Sequence, residues 1–532
     1  MKKTLCIIMM SVMAITGFSQ NYFEAFVEPE EPGAFHEADF VVETPDHGFI
    51  VSCRAQYIYQ NDILLKISPE GEVTNRLVFQ IDGKSIKYCG LFNETGREGG
   101  ILAIAVLTEG VSSTNYIQNE LAFLRFDADL NLTSQRTICL GDDYICLSTS
   151  TDRDLPRFVI EEGGTFFMAA HCMKTNYKCY LFARITSDGD IVSLKEDLFY
   201  DNYVVLSDVF VRDKSAKSYG VIIIHSNTSG DYGGEYCHYV DSSLDVKGMK
   251  RLMSFVYGTV QANPQQQYPD TTFSYIVPSG SGLSYDDSTF MITGQGRFVN
   301  YNHLGWCQFI TRVNDSLDAL DYRTWDCVER KDNQESPSRW SAGVKGLSVA
   351  PDSSIYHCGM NGFTGISNHN QIHYNPTPSK IVISKFDRHF NLLWRRYYGV
   401  PETFYDINVI QATEDGGCII TGSSSFKSNY NYIYAYALKT DADGYLGIDE
   451  NYDIEVKPYF CYPNPVKDNL YMEFSPDVTC RTAEIYSMDG KLVKSQASNL
   501  ETIDIFGLTS GVYVMKVRMS DGSEFSERIV KQ

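Results

Sequence analysis

The stretch Glu414-Asp415-Gly416-Gly417-Cys418-Ile419-Ile420-Thr421-Gly422 decides the fold. Its first four residues make a tight turn, because aspartate and glycine tolerate the backbone angles a turn needs. The apolar run that follows reads as a short strand buried on both faces. After a polar loop, 432–438 reads as the partner strand, and Lys439-Thr440-Asp441-Ala442-Asp443-Gly444 turns the chain again.

The same order of acidic turn, buried strand, loop, partner strand and second turn recurs upstream. Asp46-His47-Gly48 leads into 49–53 and then Ile63–Ile67, and Glu98-Gly99-Gly100 into 101–107 and then 121–126. Glu162-Gly163-Gly164 precedes 166–171 and 181–185, and Tyr219-Gly220 precedes 221–225 and 237–240. Asp286-Asp287 precedes 290–294 and 308–313, and Asp352 precedes 355–359 and Lys380–Phe386. These seven units average about 61 residues. A meander that cannot bury both of its faces alone must stack on copies of itself, as a propeller or a solenoid. Seven units favour closure, with some long loops, since a four-stranded blade usually takes about 40–50 residues. The expected fold is all-β: a seven-bladed β-propeller over 20–449, then a linker at 450–458 and a small C-terminal Ig-like β-sandwich at 459–532. In such a ring 22–27 completes the last blade, as 392–397 does for the blade before it.

The tail opens with Tyr462-Pro463-Asn464-Pro465, where two proline rings lock φ and end any regular element. Alternating strands are expected at Asn469–Phe474, 482–487, 491–495, 501–505, Gly511–Met519 and 524–530. Turns at Asp489-Gly490, Thr509-Ser510-Gly511 and Asp521-Gly522 separate three of the pairs.

Four motifs in this order resemble a known family. They are the Pro-Asn-Pro entry, Ala483-Glu484-Ile485-Tyr486-Ser487-Met488-Asp489-Gly490-Lys491, Leu508-Thr509-Ser510-Gly511-Val512-Tyr513 and Arg528-Ile529-Val530-Lys531. Together they resemble the type A C-terminal sorting domain of the Bacteroidetes type IX secretion system. By that resemblance Tyr462, Pro463, Asn464, Pro465, Gly490, Gly511 and Tyr513 belong to the sorting signal, and the type IX machinery is the partner. The tail would direct passage across the outer membrane and be removed as the protein is released or attached to surface lipopolysaccharide. The repeats also resemble the degenerate propeller repeats of Bacteroidetes secreted proteins that carry this tail.

The other end reads as a second address. Lys2 and Lys3 precede an apolar run from Leu5 to Ile15, and Gly17-Phe18-Ser19 offers small residues for cleavage. The expected signal peptide is 1–19, and Cys6 lacks the small neighbour a lipid anchor requires. No later stretch has the roughly 20 apolar residues that span a bilayer.

A formal charge of −22 excludes nucleic acid and anionic membrane surfaces as partners. The excess acid lies upstream of the tail, which carries 8 basic and 10 acidic residues from Tyr459 onward. Of 14 cysteines, 13 remain after the signal, an odd count in a chain too long to depend on disulfides. Cys53, Cys172, Cys358 and Cys418 sit on apolar strands, where cysteine serves as a small core residue. Cys172 and Cys179 flank a hairpin, and Cys139 and Cys146 stand seven apart. No Cys-x-x-Cys pair exists for zinc or redox chemistry.

Aligning the buried strands gives a column of Cys53, Ala105, His171, His225, Gly294, Gly359 and Gly422. His171 and His225 in adjacent units are either hydrogen-bonded structural histidines or part of a ligand site, and no third metal ligand accompanies them. Asp441 and Asp443 have the spacing of a calcium loop without its twelve-residue pattern, which reads as a turn. The polar loop 361–374, with Asn361, His369, His373 and Tyr374, is the most recognition-like surface, together with the 326–340 insertion. Asp270, Asp287 and Asp315 begin Asp-Ser/Thr stretches that resemble Bacteroidetes O-glycosylation acceptors. Catalytic signatures are absent: no HExxH, GxSxG or P-loop occurs, and no catalytic residue, metal or cofactor is assigned. The expected function is secreted or surface binding of a glycan, peptide or host protein. The rivals are a hydrolase or lyase working in the ring's channel and a structural surface component.

Overall fold

The computed structural model describes residues 22–27, 36–55, 61–78, 80–94, 100–112, 115–141, 144–146, 155–161, 163–174, 177–198, 203–213, 216–226, 234–251, 272–277, 281–284, 289–300, 303–314, 319–329, 339–341, 345–361, 379–400, 403–426, 433–446, 459–462, 466, 468–474, 480–487, 490–509, 511–520 and 524–531. Among them every regular element is a strand, and no helix is long and apolar enough to cross a membrane. The chain divides into two compact units, Met1–Asn451 and Tyr452–Gln532.

Among the described residues the first unit contains seven antiparallel sheets of four or five strands. Sheet 1 runs through His36–Glu43, Phe49–Ala55, Ile63–Ile67 and Val73–Leu77 in consecutive order. Sheet 2 spans 85–139, sheet 3 144–198, sheet 4 203–251, sheet 5 272–329 and sheet 6 339–398, each a meander of the same kind. Sheet 7 takes Thr403–Ala412, Cys418–Phe426 and Tyr434–Thr440 from its own stretch and its fourth strand, Phe23–Val27, from the other end of the chain. That strand pairs antiparallel with the third, Ala25 opposite Ala437, as the sequence led us to expect.

The burial pattern follows from the stacking. Second and third strands have a neighbouring sheet on both faces, so Ile101–Leu107 is apolar throughout and buried. Fourth strands lie at the outside, and Leu132–Cys139 and Val73–Leu77 are correspondingly polar and exposed. Between sheets 1 and 2, Val42, Ile50 and Leu64 meet Ile86, Ala103 and Leu124 in one core. Equivalent cores join 2 to 3, 3 to 4, 4 to 5, 5 to 6, 6 to 7 and 7 back to 1. The first strands follow the same cycle, from His36–Glu43 through Ser85–Asn93, Arg157–Ile160, Tyr203–Asp213, Gly282–Ser284, Leu347–Val349 and Thr403–Ala412 to His36–Glu43 again.

A basic residue near the end of the third strand secures the first turn in most sheets. Lys66 meets Asp46 at 2.8 Å, Arg125 meets Glu94 at 2.7 Å, Arg184 meets Glu161 at 2.6 Å and Lys439 meets Asp415 at 2.8 Å. Several of these cations also reach the neighbouring sheet: Arg125 Nη2 donates to Ser187 O at 2.8 Å, and Lys385 Nζ to Ala442 O at 3.2 Å.

The turn after the third strand explains the Asp441 spacing. Asp441 Oδ1 accepts the N–H groups of Asp443 at 2.9 Å and Tyr445 at 2.7 Å, and Asp127 and Asp387 repeat the arrangement. The fourth residue of this turn has positive φ, taken by Gly444 at 80° but by Leu130 and Phe390 at 65°. The aspartate is a turn cap, and among the described residues no cluster of three metal-ligating side chains occurs.

In the second unit a three-stranded sheet (Tyr459–Tyr462, Asn469–Phe474, Thr502–Asp504) and a four-stranded one (Leu492–Gln496, Cys480–Ser487, Gly511–Met519, Glu524–Lys531) share one core. Leu470, Met472 and Ile503 of the first pack on Ile485, Met515, Val517 and Ile529 of the second. The result is a β-sandwich, and the burial of Gly511–Met519 alternates as a half-buried strand requires. The strand Tyr459–Tyr462 had no counterpart in the sequence reading.

Candidate functional site

The first strands carry the densest group of polar side chains, and a recurrent irregularity puts them there. In sheet 1 the register slips between Ala38 and Phe40, in sheet 4 between Leu206 and Asp208, and in sheet 7 between Ile407 and Val409. Such a bulge leaves one residue out of the ladder and turns its side chain. Asp39 and Asn408 are the residues turned out in sheets 1 and 7, and Asp208 directly follows the one in sheet 4.

Where sheets 7 and 1 meet, these residues form a buried network. Arg54 donates from Nε and Nη2 to both oxygens of Asp39 at 2.6 Å, and its Nη1 lies 3.8 Å from Glu37. Asn408 Nδ2 donates to Glu37 Oε1 at 3.0 Å, Asp39 Oδ1 at 3.0 Å and Ala38 O at 3.2 Å. Burial pushes the Asp39 carboxyl up to about 7, with Arg54 pulling it down and Glu37 raising it further. Two carboxyl groups share one guanidinium, so the network retains a proton at pH values where an exposed aspartate has lost its own. Asp62 plays a similar part between sheets 1 and 2, accepting from Lys87 Nζ at 2.9 Å and Tyr88 N at 3.0 Å.

Sheets 4 to 7 are joined through backbone groups. Asp208 accepts Gly282 N and Val209 N at 2.8 Å, Ser281 Oγ accepts Gly346 N, and Lys345 N donates to Asn408 O at 2.8 Å. Burial pushes Asp208 up to about 6 against these two N–H donors and against the Arg157 and Lys345 charges. Burial pushes Lys345 down, opposed by Asp208. Lys345 nonetheless keeps exposed surface. Opposed shifts of an acid and a base are a feature that functional sites share.

The histidines expected here sit differently. Cys53, Ala105 and Gly422 each oppose the residue that precedes a bulge, namely Ala38, Tyr88 and Ile407. In sheet 4 that position belongs to Ile223, opposite Leu206, and His225 lies two residues further on, opposite Val204. In sheet 3, counting from the pair Ile160–Phe166 as from Glu43–Phe49 in sheet 1, it belongs to Ala170. His171 is the next residue and faces the other way. It is fully buried opposite Tyr180, with ring centroids 6.3 Å apart, and Tyr180 meets His238 of sheet 4 at 5.8 Å. A third buried histidine, His357, is held neutral by burial, which pushes it down to about 3.

Asn361 ends the strand Ile355–Asn361 opposite Lys380, while His369, His373 and Tyr374 lie outside the described residues. So do Asp270, Asp287 and Asp315. In the tail, Tyr462 pairs with Tyr471, and Pro463, Asn464 and Pro465 lie outside the described residues. Gly490 turns with φ 82°, and the hydroxyl of Tyr513 donates to Thr509 O at 2.7 Å across the turn before its strand.

The polar network escaped the sequence reading, although a signal was present. A polar residue followed by a large apolar one interrupts the apolar first strand in Ala38-Asp39-Phe40 and Ile407-Asn408-Val409, and Ser207-Asp208-Val209 repeats it.

Comparison with known proteins bears on the two units unequally. No curated protein matches the chain. Among solved structures the chain is similar to a sialidase, NanB of Streptococcus pneumoniae, at 8% identity over 79% of this chain and 71% of that one, TM-score 0.35. It is also similar to the polysaccharide lyase Uly1 at 10% identity over 76% and 90%, TM-score 0.36. A member of the DUF4221 family from Bacteroides vulgatus matches at 12% identity over 72% and 100%, TM-score 0.31. Likenesses this distant assign no activity. Residues 461–532 match the family model of the secretion system C-terminal sorting domain. The tail is therefore a type IX sorting domain, and it sends the protein to the cell surface or the extracellular space.

Proposed function

We propose that the chain is a secreted or surface-displayed seven-bladed β-propeller that works by binding, holding a glycan, a peptide or a protein on a rigid ring. The proposal includes a signal peptide at 1–19, the ring at 20–449, a linker at 450–458 and an Ig-like sandwich as the sorting tail. It places the chain among the repeat proteins that carry this tail in Bacteroidetes. The observation that carries it is the closed cycle of seven first strands, together with the pairing of Phe23–Val27 into the last sheet. A ring closed by its own N-terminal strand leaves only short outer sheet edges and presents its loops on a fixed frame. Most of the charged groups near its centre are engaged with each other, which supports a frame more than a reaction centre. Recognition is assigned to 361–374, with Asn361, His369, His373 and Tyr374, and a contribution from the His171 and His225 strands.

A glycan and peptide array probed with the full mature chain tests this reading. Saturable binding that disappears when 361–374 is replaced by a Gly/Ser linker is the expected result. Binding unaffected by that replacement would remove the loop from the site, and no binding at all would favour a structural surface role.

One observation favours a second reading, catalysis in the channel as a hydrolase or lyase. Asp208 is pushed up and Lys345 down, each chiefly by burial and each feeling the other's charge, as an acid–base pair would be. Turnover of a polysaccharide or peptide panel that is lost in both Asp208→Asn and Lys345→Met would establish it.

A further inference from the structure

Cys172 and Cys179 are direct partners across the hairpin that joins Thr165–Lys174 to Lys178–Thr186. Lys174 N donates to Tyr177 O at 2.9 Å, which makes Lys174–Tyr177 a hydrogen-bonded pair. Antiparallel pairs alternate, so Met173–Lys178 is not hydrogen-bonded and Cys172–Cys179 is again. The Cα atoms of such a pair stand about 5.5 Å apart, inside the Cα range of a disulfide, and its Cβ atoms need draw together by only about 1 Å for the two Sγ atoms to bond. Both thiols are fully buried on one face of the sheet, in the core between sheets 2 and 3.

The other buried cysteines behave differently. Burial pushes the thiols of Cys53, Cys89, Cys237 and Cys418 up, as it does for an isolated thiol in an apolar core. The Cys179 thiol is instead held below its usual value by the hydrogen bond from Cys172. Among the described residues no other two cysteines oppose each other in a ladder. A thiol with a depressed pKa facing a second thiol is the arrangement from which a disulfide forms most readily.

We infer that Cys172 and Cys179 form a cross-strand disulfide in the exported protein. The inference rests on export, since disulfides persist where no cytosolic reductant reaches them. The two thiols lose two protons and two electrons as the Sγ–Sγ bond forms. The oxidant is the disulfide of a thiol–disulfide oxidoreductase in the compartment the chain crosses, which leaves as a dithiol. The bond forms while the hairpin is still accessible and is then sealed beneath sheet 2, locking the register of the longest hairpin of sheet 3.

Lys174 and Lys178 lie between the two cysteines, so trypsin separates them unless a disulfide holds the peptides together. Full-length protein recovered from cells or medium, alkylated under denaturing non-reducing conditions and digested, should yield a linked peptide pair containing Cys172 and Cys179. Reduction before alkylation should resolve it into two alkylated peptides. Recovery of both cysteines alkylated without reduction overturns the inference. The same full chain refolded in a glutathione redox buffer separates this outcome from a failure of export. The linked pair should form there too, and its absence at excess oxidised glutathione counts against the bond itself.

Discussion

Asn408 donates from its side-chain amide to Asp39 at 3.0 Å, joining the first strand of sheet 7 to that of sheet 1 across 369 positions of sequence. The two residues hold the same place in their own sheets, each turned out of its ladder by a bulge. One bulge presents a donor and the other an acceptor, and the first and last sheets of the unit meet on that match.

Asn408→Ala removes three donor contacts and leaves Glu37 and Asp39 buried with one partner fewer. Leaving charged acceptors unsatisfied costs on the order of 2–3 kcal/mol. A urea titration of the full chain should show the midpoint falling accordingly with an unchanged slope. An unaltered midpoint would mean that water takes the place of the amide.

Phe23 anchors the N-terminal strand. Its ring meets Phe49 at 5.9 Å and fills the space over Gly71, where an added Cβ would come within 2.6 Å of it. Phe23→Ala should cost about 3 kcal/mol, at the low end for a buried aromatic because the strand lies at a sheet edge. Protease should cut near residue 30 faster in the variant, and equal cleavage rates would argue that the strand is held by its ladder alone.

Asp208 makes stability depend on pH in a direction opposite to the usual carboxylate. Its pKa is about 6 in the fold and near 3.9 unfolded, so between those values the folded chain binds the extra proton. Stability from this group is therefore greatest at the acid end and declines as pH rises from about 4 to about 6. Asp208→Asn keeps an oxygen for Gly282 N–H and should flatten that part of the curve. Thermal unfolding of both proteins over this range checks it, and parallel curves would show that Asp208 is ionised throughout.

A chain ending at Pro458 lacks the sandwich but keeps all the sheets of the first unit. It should fold and remain in the periplasm, seen by fractionation and by surface labelling of intact cells. Normal surface display of the truncated chain would count against the tail as the sorting signal.

Turn residues and apolar runs were enough to read seven units, the partner strands Ile63–Ile67 and Lys380–Phe386, and the strands Asn469–Phe474 and Gly511–Met519 to the residue. They were enough because a strand with a sheet on each face must be apolar throughout, and a hairpin turn must contain residues that accept its φ. The tail's destination was legible for a different reason: its motifs lie close together in sequence. In the histidine column His171 stands one position from its place, which reverses its face, and His225 two positions, which keeps the face but moves it along the strand. Only the first-strand bulges set the register, and a bulge has no apolar period to betray it.

Amino-acid order by itself determined the all-β character, the sevenfold repetition and the address, since each is encoded within a few tens of residues. Tertiary structure decided which polar residues meet. Asp39 and Asn408, or Asp208 and Gly282, are brought together only when successive sheets stack, and the energy of burying their charges is defined only in that packed state.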